Sequence, residues 1–471
     1  MTAPIAPPPA GRLPDGFRVV LDPRTRRRDG GATLLGGSPL RLLRLAPRAR
    51  ALLAGDELVV TDPTTAALAA RLLDTGLAHP ALDPVDPAGT TVVVPVKDRT
   101  AELARLLAAL RADLPGVPVL VVDDGSADPA AQAAVCAAHG ARVIRHDTAR
   151  GPSAARNAGL AAATTPAVAF LDSDCVPVPG WLGVLAAHLA DPRLAVVAPR
   201  VVALPADRRG WVSGYEDAVS ALDMGAHPAP VAPLTGVSYV PSAALLVRRI
   251  ALDSGFDESM QVAEDVDLVW RLAAAGWRVR YEPAARVAHE HPARTADWLR
   301  RRAYYGTGAA LLAERHGAAV APVVMSPWSA AAWGLVLLGG RPGAVAAAGV
   351  LAVATRRLAD RLGDPPPVQL AAGLVVRGTW SAGRTLARSV TRHHWPLVVP
   401  LLGVRKVRRL AAAAAVVDAV GAWWPHRHQV GLLRFAAGRR LEDLAYGVGL
   451  WRGALRARDP RALLPARPPR T

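Results

Sequence analysis

Cysteine is almost missing from this chain: 471 residues hold two, Cys136 and Cys175. Two cysteines build no framework of bridges and give no zinc spacing. That excludes a disulfide-stapled scaffold and fits a reducing cytoplasm, with any metal held by oxygen or imidazole. Lysine is scarcer still for its class, since of 56 Lys and Arg residues only Lys97 and Lys406 are lysine. A net charge of +17 carried by arginine, beside 41 Gly and 42 Pro, reads as a GC-rich coding background. No basic stretch is interleaved with aromatics, so the charge does not mark a nucleic-acid binder. It leaves a preference for an anionic membrane surface or for phosphate-bearing ligands. The opening "MTAPIAPPPAGRLPDG" has neither a basic leader nor an apolar core. No secretory signal is therefore expected, and residues 1–12 read as a disordered proline-rich tail. No internal repeat is visible.

Three parts follow one another. Residues 13–85 form a small mixed unit: "FRVVLDP" predicts a strand, a helix starts near Ala46, and a second helix is capped around Asp62 and ended by Gly76. Leu68, Leu72 and Leu73 share a face of that helix. The unit shows no obvious catalytic group, and its expected task is to bind a peptide or another protein. From about Thr90 strands and helices alternate: "TTVVVPV", "TAELARLLAALRADL", "VPVLVVDDGS", "ADPAAQAAVCAAHG", "ARVIRHD". Such alternation predicts a parallel sheet with helices on both faces, with ligands bound where the carboxyl ends of the strands gather. Asp98, Asp123, Asp124, Asp172 and Asp174 all fall at or just beyond strand ends. After about His291 long, weakly polar runs appear, "AVAPVVMSPWSAAAWGLVLLGG" (319–340) and "GAVAAAGVLAVA" (343–354), parted by Arg341 and Pro342. Their prolines, and the Arg and Trp at the flanks of later segments, read as interfacial or re-entrant helices; buried helices of a soluble layer are the alternative.

"FLDSDC" (170–175) sets Asp172 and Asp174 two residues apart. On a strand, such residues face the same way, and two like charges then call for a cation. Asp-Ser-Asp followed by Pro177 is also good turn chemistry, so both readings stand at this point.

Taken in order, "VVVPVKDR", "VLVVDDGSAD", "RGPSAARNAGL", "FLDSDC" and "AEDVDLVWRL" resemble glycosyltransferase family 2, over roughly residues 90–295. Each motif is weak alone; five in register are specific. The resemblance implies an α/β, Rossmann-like GT-A domain that uses a nucleotide-sugar donor and inverts the anomeric centre. By the same resemblance Pro95 and Asp98 lie in the first donor loop, Asp124 accepts from the base of the nucleotide, and Arg156 and Asn157 face the donor. Asp174 is implied as the direct ligand of a Mg2+ or Mn2+ ion on the diphosphate, with Asp172 at the ribose or the metal's water shell. Asp265 is implied as the base that takes the acceptor's proton, with Glu264 beside it; plain complementation of a helix N-terminus is the alternative for both. His289 and His291 alternate with Glu290, and one of them is a candidate to complete the metal shell.

The three-part order is similar to that of the transferases in mycofactocin systems, which belong to the same family. The small unit looks like the peptide-chaperone domains of such systems. This implies domains at 13–85, 90–295 and a helical, membrane-associated 296–471, a UDP-sugar donor (UDP-glucose) and a mycofactocin-type peptide-derived acceptor. It also implies a place at the cytoplasmic face of the membrane. Two other readings stay open: a family 2 rhamnosyl- or galactosyltransferase acting on a lipid or envelope glycan, and a non-catalytic peptide-binding scaffold.

Overall fold

Short runs rich in β-branched residues become strands here, and longer alanine- and leucine-rich runs become helices. The structure, a computed structural model, describes residues 5–205, 210–292, 294–362 and 367–467. Residues 1–4 of the expected disordered tail lie outside these; further along the tail, the Ala6 carbonyl accepts a 2.7 Å hydrogen bond from the Trp277 indole. The chain divides into two units, Met1–Arg209 with Val219–His291, and Gly210–Ala218 with Pro292–Thr471.

The first unit opens with two three-stranded antiparallel sheets. In one, β1 (Arg18–Leu21) lies between β5 (Glu57–Val59) and β6 (Ala78–Pro80); in the other, β2 (Arg26–Arg28), β3 (Thr33–Gly36) and β4 (Arg41–Arg44) follow in order. Helix α1 spans Pro47–Leu52 and α2 spans Pro63–Thr75. Asp62 caps α2 by accepting from the Thr65 amide at 2.8 Å, while the Thr65 hydroxyl accepts from the Asp62 amide at 2.9 Å. This reciprocal box explains why the helix starts there. Ala66, Ala69, Leu72 and Leu73 are its buried face, packed on Val19, Leu34 and Leu58.

The large sheet has the order β11-β15-β12-β14-β10-β7-β8-β9, with β13 (Ala229–Pro230) also on β15. Its strands are β7 (Thr90–Val96), β8 (Val119–Asp124), β9 (Arg142–His146), β10 (Ala167–Leu171), β11 (Cys175–Pro177), β12 (Leu194–Ala203), β14 (Ala244–Arg248) and β15 (Arg278–His289). Helices α3 (Thr100–Asp113), α4 (Pro129–Ala138) and α5 (Pro152–Ala162) connect the first four in parallel, as the alternation implies. The expected all-parallel sheet ends there: β14 runs antiparallel to both β10 and β12. A parallel neighbour needs a helical crossover laid back on the sheet, and the chain between β12 and β14 sends its helix, α7 (Trp211–Val219), almost wholly into the second unit. Helix α6 (Trp181–Ala187) and helix α8 (Glu264–Ala274) complete the first unit.

A buried polar seam ties the small sheets to β15. Arg278 reaches Asp74 and Asp191, each at 2.8 Å. Next along the strand's face, Arg280 donates to His79 Nδ1 at 2.8 Å, and His79 Nε2 meets Asp22 at 2.7 Å. The ring is therefore neutral, accepting on one nitrogen and donating on the other. Burial, and then the Arg280 charge, lower its pKa from 6.5 to about 4.

The second unit is helical: α7, α9 (Thr295–His316), α10 (Pro327–Leu362), α11 (Val368–Arg392), α12 (Trp395–Val398), α13 (Arg405–Trp423) and α14 (Leu432–Ala457). Several of its charges are buried in pairs. Arg302 pairs with Glu216, Arg392 reaches Glu442 and Asp443 at 3.3 and 3.1 Å, and Arg439 grips Asp418 with two bonds of 2.6 and 2.7 Å. Many of its apolar side chains are exposed: of the large hydrophobics exposed among the described residues, all but Leu40, Val59, Val85, Val178 and Ile250 belong to this unit. Among the described helices only α10 is long and apolar enough to cross a membrane. Yet it is bent at Gly340, whose φ of 58° and ψ of −138° leave the helical region, just before Pro342. A Cβ on Gly343 would run into the Leu335 carbonyl, more than two helical turns back. Only a chain folded upon itself allows that contact, so α10 is a hairpin of two limbs.

A histidine held below its ordinary value is protonated in the unfolded chain first. The stability it carries is present above about pH 6.5 and drains as the pH falls toward 4. Melting temperature followed from pH 7 to 4 is expected to fall less steeply in His79→Gln, which can accept from Arg280 and donate to Asp22 at any pH. Parallel curves for the two proteins would remove the seam from the account.

Candidate active site

The ends of β7, β8 and β10 and the start of α8 each deliver carboxylates. Beyond β10, Asp172 accepts a 2.7 Å bond from Arg156, and the other arm of Arg156 reaches Glu264 at 3.1 Å. Arg156 lies in the first turns of α5, fully buried, over the ring of Phe256 at 5.4 Å. One guanidinium thus joins the "DSD" turn to the acidic pair. Burial works against its charge, but Asp172 and Glu264 more than compensate and raise its pKa.

Glu264 and Asp265 begin α8 behind Ala263, a non-glycine residue at φ 63° with no side-chain cap. That left-handed residue turns both acids back toward Ser242, whose amide donates to Asp265 at 3.2 Å and whose hydroxyl approaches Glu264 at 3.4 Å. Burial, then the charge of Glu264, push Asp265 up to about 7, against hydrogen bonds from the Val266 and Ser242 amides. A carboxylate in that range accepts a proton near neutrality, which is what a general base needs.

Asp174 is buried. Arg99 pairs with one of its oxygens, and His289 Nε2 stands 3.4 Å from the other. Strand pairing sets that approach: Cys175 on β11 is opposite His289 on β15. The His291 ring lies 5.5 Å from that of His289, centre to centre. Among the described residues no three His, Cys, Asp or Glu side chains stand together as a ready metal cage. The donors nonetheless suit Mg2+ or Mn2+. They are carboxylate and imidazole, Nδ1 of His289 is buried without a hydrogen-bond partner, and Asp174 already draws a cationic group, the Arg99 guanidinium.

The loops after β7, β8 and β9 are more tightly built than their sequence suggests. Asp124 accepts from the Arg150 and Gly151 amides at 2.9 and 2.8 Å and meets His146 at 2.8 Å. Burial alone would raise its pKa; these bonds bring it below the ordinary value. Gly151 at φ 98° brings its backbone against Gln261, where a Cβ would come within 2.9 Å. Asp98, itself at φ 55°, accepts from the Ala127 amide at 2.7 Å, and its own amide donates to Ser126. Pro95 sits half-buried on β7 opposite Val122. Asn157 takes another direction: its amide bonds Phe256 both ways, at 2.9 and 2.8 Å, and reaches Glu258 at 3.0 Å. It holds the loop beneath Arg156 instead of standing among the carboxylates.

Arg99, His146 and Ser242 were not singled out by sequence. Arg99 ends "VVVPVKDR" and His146 lies in "ARVIRHD", both quoted above, while Ser242 opens "SAALLVRR" (242–249), the run that carries β14.

A profile of the "Glycosyl transferase family 2" family matches residues 91–252. Over 471 aligned residues the chain is 45% identical to the pre-mycofactocin glycosyltransferase of Mycobacterium tuberculosis, covering 97% of this chain and 99% of that protein. The chain belongs to glycosyltransferase family 2, in its mycofactocin-type branch. It is an α/β transferase of GT-A type with a helical C-terminal region. The succinoglycan biosynthesis protein ExoU of Rhizobium meliloti is more distant, 29% identical over 41% of this chain and 59% of its own length. Among solved structures, a Pyrobaculum calidifontis mannosyltransferase in complex with GDP-Man and Mn2+ is 20% identical, covering 73% of this chain and 90% of that one at a TM-score of 0.39.

In this transferase Glu264 raises Asp265 by its charge, so Glu264→Gln is expected to move the acidic limb of the kcat/KM profile to lower pH, whatever it does to the maximum rate. The check is donor turnover across pH 5 to 9. An unmoved limb would mean that Asp265 is not the titrating base.

Proposed function

We propose that this enzyme transfers a hexose, glucose from UDP-glucose, to a mycofactocin-type peptide-derived acceptor with inversion at the anomeric carbon. The observation that carries the acceptor is the 45% identity to a pre-mycofactocin glycosyltransferase along nearly the whole chain, small N-terminal sheets included. What supports the chemistry is the bridge from Asp172 through Arg156 to Glu264, with Asp265 next in line.

Inversion needs one displacement. The acceptor hydroxyl attacks the anomeric carbon from the side opposite the departing diphosphate and gives its proton to a carboxylate within reach, here Asp265. Ser242 and the first turn of α8 fix that carboxylate by hydrogen bonds to both its oxygens. Asp172 and Asp174 face the donor, and Arg156 keeps Asp172 in place. A divalent ion held by Asp174, with Asp172 and His289 or His291, would neutralise the charge of the leaving diphosphate. Asp98, Asp124 and Pro95 frame the base of the nucleotide. Residues 13–85 present the acceptor, residues 90–295 carry the donor and catalytic groups, and residues 296–471 rest on the cytoplasmic face of the membrane. The many exposed large hydrophobics of the helical unit, and the α10 hairpin, support this last point.

The test uses purified full-length protein, UDP-glucose and a set of other UDP- and dTDP-sugars, Mn2+ or Mg2+ against EDTA, and a pre-mycofactocin peptide. The expected result is release of UDP with a hexose added to the peptide, abolished by EDTA and reduced at least a hundredfold in Asp174→Asn. Turnover of donor with the peptide unchanged, or full activity of Asp174→Asn, would contradict the proposal.

A further inference from the structure

Between α11 and α13 the chain makes a short apolar excursion. Leu397 and Val399 are 54% and 50% exposed, and Leu401 and Val404 are 52% and 54%. Pro396 and Pro400 lie among them, so the segment breaks into one turn of α12 and the turn Val399–Leu401. Directly after Val404, α13 opens with Arg405, Lys406, Arg408 and Arg409, all exposed. Among the described residues none of these four pairs with an acid. Among the described residues their one side-chain hydrogen bond runs from Arg408 to the Leu402 carbonyl at 3.2 Å. A helix N-terminus already carries partial positive charge and favours acids, and this one has none in its first turn. Unpaired cations there concentrate positive potential beside an unburied apolar turn.

We propose that residues 397–409 are the surface by which the enzyme docks on an anionic lipid bilayer. Leu397, Val399, Leu401 and Val404 enter the boundary between headgroups and acyl chains, and the four cations of α13 take the lipid phosphates. This rests on the membrane-surface reading above and says which residues serve it and which lipids they select. Charge and apolarity follow one another along a few residues, as a bilayer's anionic surface and apolar interior require. A folded acidic partner would answer the cations. It would not answer the exposed apolar side chains of this segment, nor those at Leu338 and Val345 on α10, Val376 and Trp380 on α11 and Val416 on α13.

The experiment is flotation of full-length protein with vesicles of phosphatidylcholine alone or mixed with phosphatidylglycerol, at low and high salt. Wild-type protein is expected to float with the mixed vesicles and to be released by salt. Replacing Arg405, Lys406, Arg408 and Arg409 together by Gln should weaken partition to the mixed vesicles by about tenfold or more and erase the preference over neutral ones. Leu401→Asp should weaken binding to both. These residues lie outside the donor and acceptor machinery, so unchanged donor turnover shows that each variant is folded. If wild type floats and both variants float equally well, the assignment of this surface is wrong while membrane association stands. If wild type floats with no vesicle, association itself is overturned. Binding to polyglutamate but not to vesicles would give the surface to an acidic protein instead.

Discussion

The buried guanidinium of Arg156 is the contact on which the site depends. A fully buried cation is stable only if it is paired and hydrogen-bonded, and its two carboxylates come from different elements: Asp172 from the turn after β10, Glu264 from the start of α8. Losing one partner of such a charge costs about 3–5 kcal/mol. The neighbouring parts follow from it. Asn157, one residue on, clamps the loop that sets Phe256 against the guanidinium, and Ala263 takes a left-handed conformation so that α8 starts with its acids turned inward. Asp265 then lies half-buried beside a charged neighbour, which explains its tuning toward neutrality.

Strand β15 extends this order across the first unit. Its residues Arg278 and Arg280 are held by Asp74 of α2 and His79 of β6, and its last, His289, is set beside Asp174. The small N-terminal sheets and α2 are therefore part of the support of β15, whatever else they bind. A change at the seam can reach the site along one continuous backbone.

Much of the frame was legible in the sequence because it is local. The alternation from β7 to β9, the capped α2 and the placing of the acids at strand ends rest on periodicity and capping chemistry. The antiparallel entry of β14 was not legible, since nothing in "SAALLVRR" states its direction. Long-range pairing was equally hidden. "RGPSAARNAGL" marks Arg156 and Asn157 alike as donor-facing, but one bridges two carboxylates and the other ties down a loop more than ninety residues away. Two apolar runs parted by Arg341 and Pro342 suggested separate segments, and the hairpin at Gly340 joins them.

The most direct measurement is a double-mutant cycle on Asp172→Asn and Glu264→Gln, read as kcat/KM for donor turnover. If Arg156 makes the two carboxylates one device, the first loss disables the bridge and the second adds little, giving a coupling of about 1 kcal/mol or more. Losses that add to within about 0.3–0.5 kcal/mol would contradict the account, because the two sides of the site would then act independently.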